Sequence, residues 1–242
     1  MTTGIEAIHS KVLQVISRLR IRADRMLDIG CGNGEFTVKI AKLVQAKEVY
    51  GVDIDEKALL EAERRGIHTL KIDIYKERLP FSSNYFDLCT AIEVIEHIPH
   101  GDNMIAEIHR VLKHDGLLII TTPNLASIIN RLLLFFGYQP MHSVLPSLFY
   151  RIGLPGRPKK RTLKTSDSMP APYATHISAY TLKGLKDLLE VYGFKVIKAI
   201  GVTLPSSSKL RDLIAKPFQR IPSLADDIIV IAKKVDMQCT ME

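Results

Sequence analysis

Short apolar runs alternate with helical stretches along the first half of the chain, and this alternation restricts the fold more than any other feature. The strand candidates are residues 26–29, 49–52, 68–72, 86–92 and 116–121. The helical stretches between them are residues 35–44, about 56–66 and 102–112. Strands joined by helices of this length require right-handed crossovers and a parallel sheet covered on both faces. The sequence therefore predicts an α/β, doubly wound fold.

The rest of the chain supplies flanking elements and one irregular segment. Helical spacing predicts an opening helix before residue 20, a largely apolar helix at 125–136 and another helix at 181–192, whereas 194–200 and 227–232 are strand candidates. Residues 138–175 lack a steady period and contain several prolines. We therefore expect one domain over residues 1–242, with an insertion or lid at 125–178.

Basic residues are concentrated in that predicted insertion. The formal charge is +7, and residues 125–166 hold seven lysines and arginines with no acidic residue. A local excess of this kind favours an anionic group or a membrane surface as the partner at 151–164. Nucleic acid is disfavoured, because the aromatic residues precede the basic cluster and do not alternate with it.

Cysteine usage and the N-terminal pattern bear on the compartment. The three cysteines are far apart, which excludes a disulfide framework and a CxxC metal or redox pair. The first residues lack the order of a signal peptide, and no apolar run approaches the ~20 residues that span a bilayer. We therefore expect a cytoplasmic protein.

A glycine-rich run stands where the first predicted strand meets the next helix. It reads LDIGCGNGEF and begins at Leu27, so Asp28, Gly30, Cys31, Gly32 and Gly34 lie in the turn. Glycines there let a ligand approach the backbone N–H groups. The third position of the dinucleotide pattern GxGxxG is Glu35, whose carboxylate would repel a pyrophosphate. The run therefore favours a phosphate-free cofactor with an amino acid end and a nucleoside end.

Acidic residues follow the second and third predicted strands. Asp53 lies 19 residues beyond Gly34, the spacing at which an acid reaches ribose hydroxyls. Asp55 is better interpreted as the N-cap of the next helix. Asp73 is placed to accept from an adenine amino group, with Ile54 and Ile74 beside the ring.

Together these segments resemble the class I, Rossmann-like S-adenosylmethionine-dependent methyltransferases. The matching segments, in order, are LDIGCGNG, VDID, KIDI, LPF, FDLCTAIEVIEHI and VLKHDGLLIITTPN, which cover residues 27–124 closely. The resemblance implies that Asp28 and the loop from Gly30 to Gly34 hold the methionine end of S-adenosylmethionine, Asp53 the ribose and Asp73 the adenine. It also implies that Ile92 lines the floor beside the sulfonium, and that residues 227–232 form a seventh, antiparallel strand in a mostly parallel sheet. Cys31 is interpreted as a small packing residue within the loop.

Two further features of the resemblance concern the acceptor side. Glu93, Glu96 and His97 could share a helical face and bind a divalent ion, as similar segments do in ubiquinone-pathway and small-RNA methyltransferases. We favour a structural role for them, and no metal site is assigned. His176 matches a family histidine at the pocket mouth, which makes it the candidate catalytic base.

The predicted function is S-adenosylmethionine-dependent O-methylation of a small, glycan-linked or lipid-linked acceptor. The acceptor class follows from the resemblance of the TPN strand end, the NRLLLFFGYQP stretch and His176 to bacterial and archaeal relatives. The motif typical of amino-nitrogen acceptors, Asn/Asp-Pro-Pro-aromatic, is absent. The alternatives are a regulatory module that binds the cofactor without turnover, a metal-dependent O-methyltransferase of the quinone or small-RNA type, and a dinucleotide oxidoreductase.

Overall fold

A computed structural model describes residues 4–141, 149–150, 159–160, 176–206, 208–218 and 220–235. The helices are Gly4–Leu19 (α1), Glu35–Val44 (α2), Glu56–Arg64 (α3), Asp102–Val111 (α4), Ile128–Phe135 (α5), Leu182–Val191 (α6) and Lys209–Ala215 (α7). The strands are Arg25–Ile29 (β1), Glu48–Asp53 (β2), His68–Lys71 (β3), Phe86–Ile92 (β4), Leu112–Pro123 (β5), Phe149–Tyr150 (β6), Lys159–Lys160 (β7), Phe194–Val202 (β8) and Asp227–Lys234 (β9).

Seven strands form one sheet in the order β3-β2-β1-β4-β5-β9-β8. Strands β1 to β5 are parallel, and β9 is antiparallel to both β5 and β8. The predicted doubly wound fold and its antiparallel seventh strand are therefore confirmed. The strand order reverses between β1 and β4, and this switch point is where open α/β sheets bind their ligands.

Two apolar clusters cover the two faces of the sheet. One includes Met104 and Ile105 of α4 with Leu185 and Leu189 of α6, all fully buried. The other is formed largely by the buried faces of α1 and α2 against the sheet. Burial on both faces explains the nearly continuous apolar sequences of β1 and β4. The crevice at the switch point is thus held by a rigid, packed sheet.

The structure corrects the sequence-based boundaries in three places. Helix α5 begins at Ile128 rather than near residue 125, because Ser127 caps it. Asn124, which directly precedes the predicted helix, donates its side-chain amide to the carbonyls of Ser223 and Ala225 before β9. Strand β5 begins at Leu112, four residues early, and α7 was not predicted.

The insertion or lid expected at 125–178 is described only in part. Helix α5 and a two-residue antiparallel pairing of β6 with β7 lie within it. Residues 142–148, 151–158 and 161–175 lie outside the described part, and so does most of the basic segment at 151–164. The single-domain organisation and the lid stay predictions.

Candidate active site

The loop between β1 and α2 is fastened to the end of β2 by backbone hydrogen bonds. The N–H groups of Gly30 and Cys31 donate to the carbonyl of Val52, at 2.8 and 3.1 Å. Gly30 has φ +70°, and a Cβ there would lie 2.5 Å from Val94 Cγ2. Glycine is therefore required at this position on two grounds, backbone conformation and close approach.

The other small residues of the loop have distinct surroundings. Gly34 directly precedes α2, and its N–H bonds the carbonyl of Cys31 at 2.9 Å. A side chain on Gly51 of β2 would collide with Cys31 Sγ, so the two residues pack closely. Burial raises the pKa of the Cys31 thiol well above its usual value. These contacts agree with a packing role for Cys31, although it also lines a cavity described below.

Asp53 is held at the end of β2 by the backbone. Its Oδ2 accepts from the N–H of Gly32 at 2.8 Å, and its Oδ1 accepts from the N–H of Asp55 at 2.9 Å. A carboxylate oxygen can accept two hydrogen bonds, so each oxygen retains acceptor capacity. Asp55 is confirmed as the N-cap of α3, because its side chain accepts from the N–H groups of Lys57 and Ala58.

A cavity of about 240 Å³ opens beside Asp53. Its lining residues are mostly apolar and include three acidic residues, Asp53, Asp73 and Glu93. That combination suits a purine ring joined to a sugar with two hydroxyls. The structure brings together here the predicted residues Gly30, Asp53, Ile54, Asp73 and Ile74.

Asp73 is already engaged by its own neighbours. Its Oδ1 accepts from the N–H of Tyr75 at 3.2 Å, and its Oδ2 lies 3.1 Å from Lys76 Nζ. An adenine amino group would therefore share this carboxylate with an existing cation. We expect a weaker contact here than at Asp53.

A second cavity, of about 410 Å³, lies on the other side of Gly30. Asp28, Gly32 and Ile92 contribute to its walls, as does helix α1 through Glu6 and His9. The part played by α1 was not anticipated, because the amphipathic pattern of a flanking helix carries no signal that it borders a ligand. The two cavities share Gly30, so an elongated ligand with two unlike ends could occupy both.

Asp28 is buried beneath this second cavity. Its two oxygens accept from the hydroxyls of Thr37 and Thr90, both at 2.5 Å. Burial raises the pKa of Asp28 to about 6, although the two hydroxyls oppose the shift. Asp28 therefore supports the loop from below, and its negative charge is available to a ligand ammonium group above pH 6.

Three acidic side chains lie where β4 ends next to β5 and β9, and two of them, Glu96 and Asp227, are fully buried. Glu93 has φ +56°, and its Oε1 accepts from Thr121 Oγ1 at 2.7 Å. Burial raises the pKa of Glu93 to about 7 and the pKa of Asp227 to about 8; for Asp227, the Glu93 charge adds to the shift. Burial and then the same charge also raise the pKa of Glu96. The shared helical face predicted for Glu93, Glu96 and His97 is wrong, because the left-handed Glu93 precedes a short 3₁₀ turn at Ile95–His97.

His176 reaches this corner because the segment that follows it is hydrogen-bonded to the 3₁₀ turn. The N–H groups of Ile177 and Ser178 donate to the carbonyl of Glu96, at 2.8 and 3.0 Å. The rings of His97 and His176 are consequently 4.9 Å apart between centroids. Of these residues, only His97 borders the smaller cavity.

Glu96, His97 and His176 form a set with metal-ligating chemistry. One ligand atom from each lies within 4.8 Å of the others. Within the part of the chain that the structure describes, neither carboxylate oxygen of Glu96 has a hydrogen-bond partner. A carboxylate and two imidazoles fit a divalent transition ion. The sequence suggested Glu93 in this role, whereas the geometry selects His176.

Comparison with known proteins decides the family. A family model described as a methyltransferase domain matches residues 5–199 of the chain. The chain belongs to the class I, S-adenosylmethionine-dependent methyltransferase family. The match takes in the glycine loop, the ends of β2 to β4 and the segment that carries His176.

Relatives of this methyltransferase have several names. A demethylmenaquinone methyltransferase from Lactobacillus johnsonii is 29% identical over 189 residues, which cover 74% of this chain and 71% of that protein. A ubiquinone biosynthesis O-methyltransferase from Glaesserella parasuis is 35% identical over 109 residues, covering 41% of this chain and 45% of that one. A malonyl-[acyl-carrier protein] O-methyltransferase from Legionella pneumophila is 29% identical over 118 residues, covering 48% and 42%. The chain thus spans less than half the length of the last two relatives.

Solved structures show the same fold at lower identity. A methyltransferase from Mesorhizobium loti superposes with a TM-score of 0.61 at 17% identity, covering 96% of this chain and all of that one. One from Archaeoglobus fulgidus gives a TM-score of 0.59 at 20% identity, covering 95% and 94%. Among the helices described in this chain, none combines the length and apolar character needed to cross a bilayer.

Proposed function

We propose that this methyltransferase transfers the methyl group of S-adenosylmethionine to an oxygen of a small or lipid-linked acceptor. The observation that carries the proposal is the anchoring of Asp53. Its carboxylate is fixed by the N–H groups of Gly32 and Asp55 and still has acceptor capacity at the edge of the smaller cavity. A preorganised acceptor of this kind suits the paired hydroxyls of a ribose.

The chain has a limited chemical task in this reaction. The sulfonium of S-adenosylmethionine supplies its own leaving-group activation when it is bound. The residues around Gly30 then align the acceptor with the methyl carbon and exclude water. Asp53 and Asp73 would orient the nucleoside end, while Asp28 and the glycine loop would receive the amino acid end. Ile92, which lines the larger cavity, would form an apolar floor near the methyl group.

An oxygen acceptor is supported by two of the relatives and by the acceptor-side histidines. Two of the three relatives described above are named O-methyltransferases. A hydroxyl of high pKa must lose its proton as it attacks, and His176 is the proposed base. The ring of His97, 4.9 Å away between centroids, would help to orient it.

Metal-assisted O-methylation is a second candidate, favoured by the set of Glu96, His97 and His176. These side chains would hold a divalent cation, which supplies Lewis-acid activation of a hydroxyl. Titration with Mn²⁺, together with an activity assay in the presence of a chelator, separates the two candidates. Binding that is lost in Glu96→Gln supports the metal route. Absence of binding, together with chelator-resistant activity that requires His176, supports the base.

Calorimetric titration with S-adenosylhomocysteine tests the proposal as a whole. We expect micromolar-range binding that weakens by at least ~tenfold, about 1.4 kcal/mol, in Asp53→Ala. Asp55→Ala is the matched control: it removes the α3 cap two residues away, costing ~1 kcal/mol of stability while leaving affinity within about twofold. Equal losses in both variants would contradict a direct ribose contact.

Turnover is tested separately from binding. Transfer of labelled methyl from S-adenosylmethionine into a cell extract would exclude the regulatory module. Protection by NAD in a thermal-shift assay, where S-adenosylhomocysteine gives none, would instead support the oxidoreductase.

A further inference from the structure

Helices α5 and α7 lie in contact and both leave large apolar side chains exposed to solvent. Phe135 and Phe136, at the end of α5, are 81% and 68% exposed, and Leu210 and Leu213 of α7 are 67% and 72% exposed. We call these four side chains, together with Ile221, the α5–α7 surface. Other exposed apolar residues, such as Leu60 and Val191, lie on separate elements, where single cases need no explanation.

The α5–α7 surface lies at the same edge of the sheet as the cofactor crevice. Helix α5 follows the end of β5, and α7 follows the end of β8. Because β9 is antiparallel to both of these strands, β5 and β8 run in the same direction. Both helices therefore leave the sheet at the edge where the Gly30 loop and Glu93 are found. A partner on this surface would lie close to the acceptor side of the site.

Charge around the surface has one dominant sign. Arg131 on α5, and Lys216 and Arg220 after α7, are exposed basic residues. The Arg211 guanidinium is paired with the buried carboxylate of Asp226 at 2.9 Å, so its charge is already balanced. Helix α7 contains one acidic residue, Asp212. Apolar side chains bordered by lysine and arginine complement the interface of a bilayer that contains anionic lipids.

We propose that the α5–α7 surface binds the interface of an anionic phospholipid bilayer. This goes beyond the basic segment at 151–164, because the surface consists of other, described residues. It also adds to the proposed function, because it specifies an acceptor that is held in a membrane. Only this statement about the acceptor rests on the proposed function. Phe135, Phe136, Leu210 and Leu213 would enter the headgroup region while the basic side chains meet lipid phosphates.

Vesicle co-sedimentation of the full chain without cofactor tests the proposal. We expect binding to vesicles of phosphatidylglycerol and phosphatidylcholine that is at least tenfold stronger than binding to phosphatidylcholine alone. Phe135→Glu combined with Leu213→Glu should weaken it at least tenfold. Val191→Glu, which changes an equally exposed side chain on α6, is the matched control and should stay within twofold. Lys216→Glu with Arg220→Glu should remove the preference for the anionic vesicles.

Several results would overturn the proposal. The first is that the protein binds neither kind of vesicle. The second is that vesicle binding falls equally in Val191→Glu and in the double variant Phe135→Glu with Leu213→Glu. The third is that light scattering shows a dimer which Phe135→Glu dissociates. A fall in Tm of more than 4 °C in Phe135→Glu would also overturn it, because that side chain would then be packed against protein. The vesicle assay contains no methyl donor, so a negative result there would not affect the S-adenosylhomocysteine titration. A negative titration would likewise not affect the vesicle assay.

Discussion

The two halves of the candidate site differ in how far their carboxylates are satisfied by hydrogen bonds. On the cofactor side, at the ends of β1 to β3, Asp28, Asp53 and Asp73 each accept hydrogen bonds from groups nearby in the fold. On the acceptor side, after the end of β4 and at the start of β9, Glu93 accepts from Thr121, but both oxygens of Glu96 and of Asp227 lack hydrogen-bond partners among the described residues. Buried acids of the second kind cost stability unless they keep a proton or gain a partner.

This difference indicates where specificity arises. A half whose polar groups are already satisfied is preorganised, so one cofactor can bind to it with little rearrangement. A half that keeps unsatisfied buried acids beside two histidines retains capacity for a proton, a cation or an acceptor hydroxyl. Under the proposed function, the cofactor side would fix the reaction class and the acceptor side would determine what is methylated.

The largest expected effect comes from a substitution that disturbs the preorganised cofactor side. In Gly30→Ala the new methyl group would lie 2.5 Å from Val94 Cγ2, and φ +70° disfavours any side chain. The loop must shift, and the N–H groups that would face the cofactor shift with it. We expect S-adenosylhomocysteine affinity to fall about 100-fold, or about 2.7 kcal/mol, by calorimetry.

Gly66→Ala is the matched control for this change. Gly66 has φ +84°, but a Cβ there would meet nothing within 4 Å. It should therefore lower stability through backbone strain alone and leave affinity unchanged. If Gly66→Ala weakened binding as much as Gly30→Ala, global destabilisation would account for both. Val94→Ala added to Gly30→Ala should recover part of the loss, because it removes the collision.

The second effect concerns the unsatisfied half. Burial, followed by the Glu93 charge, raises the pKa of Asp227 to about 8. Between pH 5 and 8 the folded protein keeps this proton and the unfolded chain has lost it. At this group the folded state therefore binds more protons, and the contribution of Asp227 to the free energy of unfolding falls as pH rises. We expect Asp227→Asn to reduce that fall by at least about 2 kcal/mol.

Urea unfolding at pH 5 and at pH 8, in the presence of a chelator, measures this change. Asp187→Asn removes one carboxylate from the exposed Lys183 pair on α6 and is the matched control for loss of a charge. A wild type and an Asp227→Asn variant with the same change in stability between these pH values would mean that Asp227 is ionised in the folded protein. The contrast between the two halves would then disappear.

The sequence anticipated the cofactor half much better than the acceptor half. The glycine loop, Asp53 and Asp73 each stand next to a strand end in the sequence, so strand prediction alone places them. Asp55 as a cap was equally local. The parallel direction of the central strands followed from the alternation of strands with crossover helices, whose handedness is nearly invariant.

The acceptor half depends on contacts between distant segments. His176 reaches Glu96 only because Ile177 and Ser178 bond the carbonyl of that glutamate, 81 and 82 residues away along the chain. Asp227 enters through the antiparallel strand β9. No local pattern carries such pairings, and the helical spacing of Glu93, Glu96 and His97 was misleading because Glu93 adopts a left-handed backbone. Helix α7 was missed since proline residues around it favour loops.

The smallest expected effect tests whether the cofactor half is satisfied at Asp73. Lys76 Nζ lies 3.1 Å from Asp73 Oδ2. The Asp73 carboxylate should therefore form a weaker hydrogen bond with an adenine amino group than a carboxylate without a nearby cation would. Asp73→Ala should therefore weaken S-adenosylhomocysteine binding only about three- to fivefold, or roughly 0.7–1 kcal/mol. Lys76→Ala, the paired control, should keep or slightly increase affinity.

The inosine analogue, with a carbonyl in place of the amine, isolates the contact: Asp73→Ala should narrow the preference of the wild type for the adenine compound. Equal losses for the two ligands would show that Asp73 shapes the turn after β3 without contacting the base.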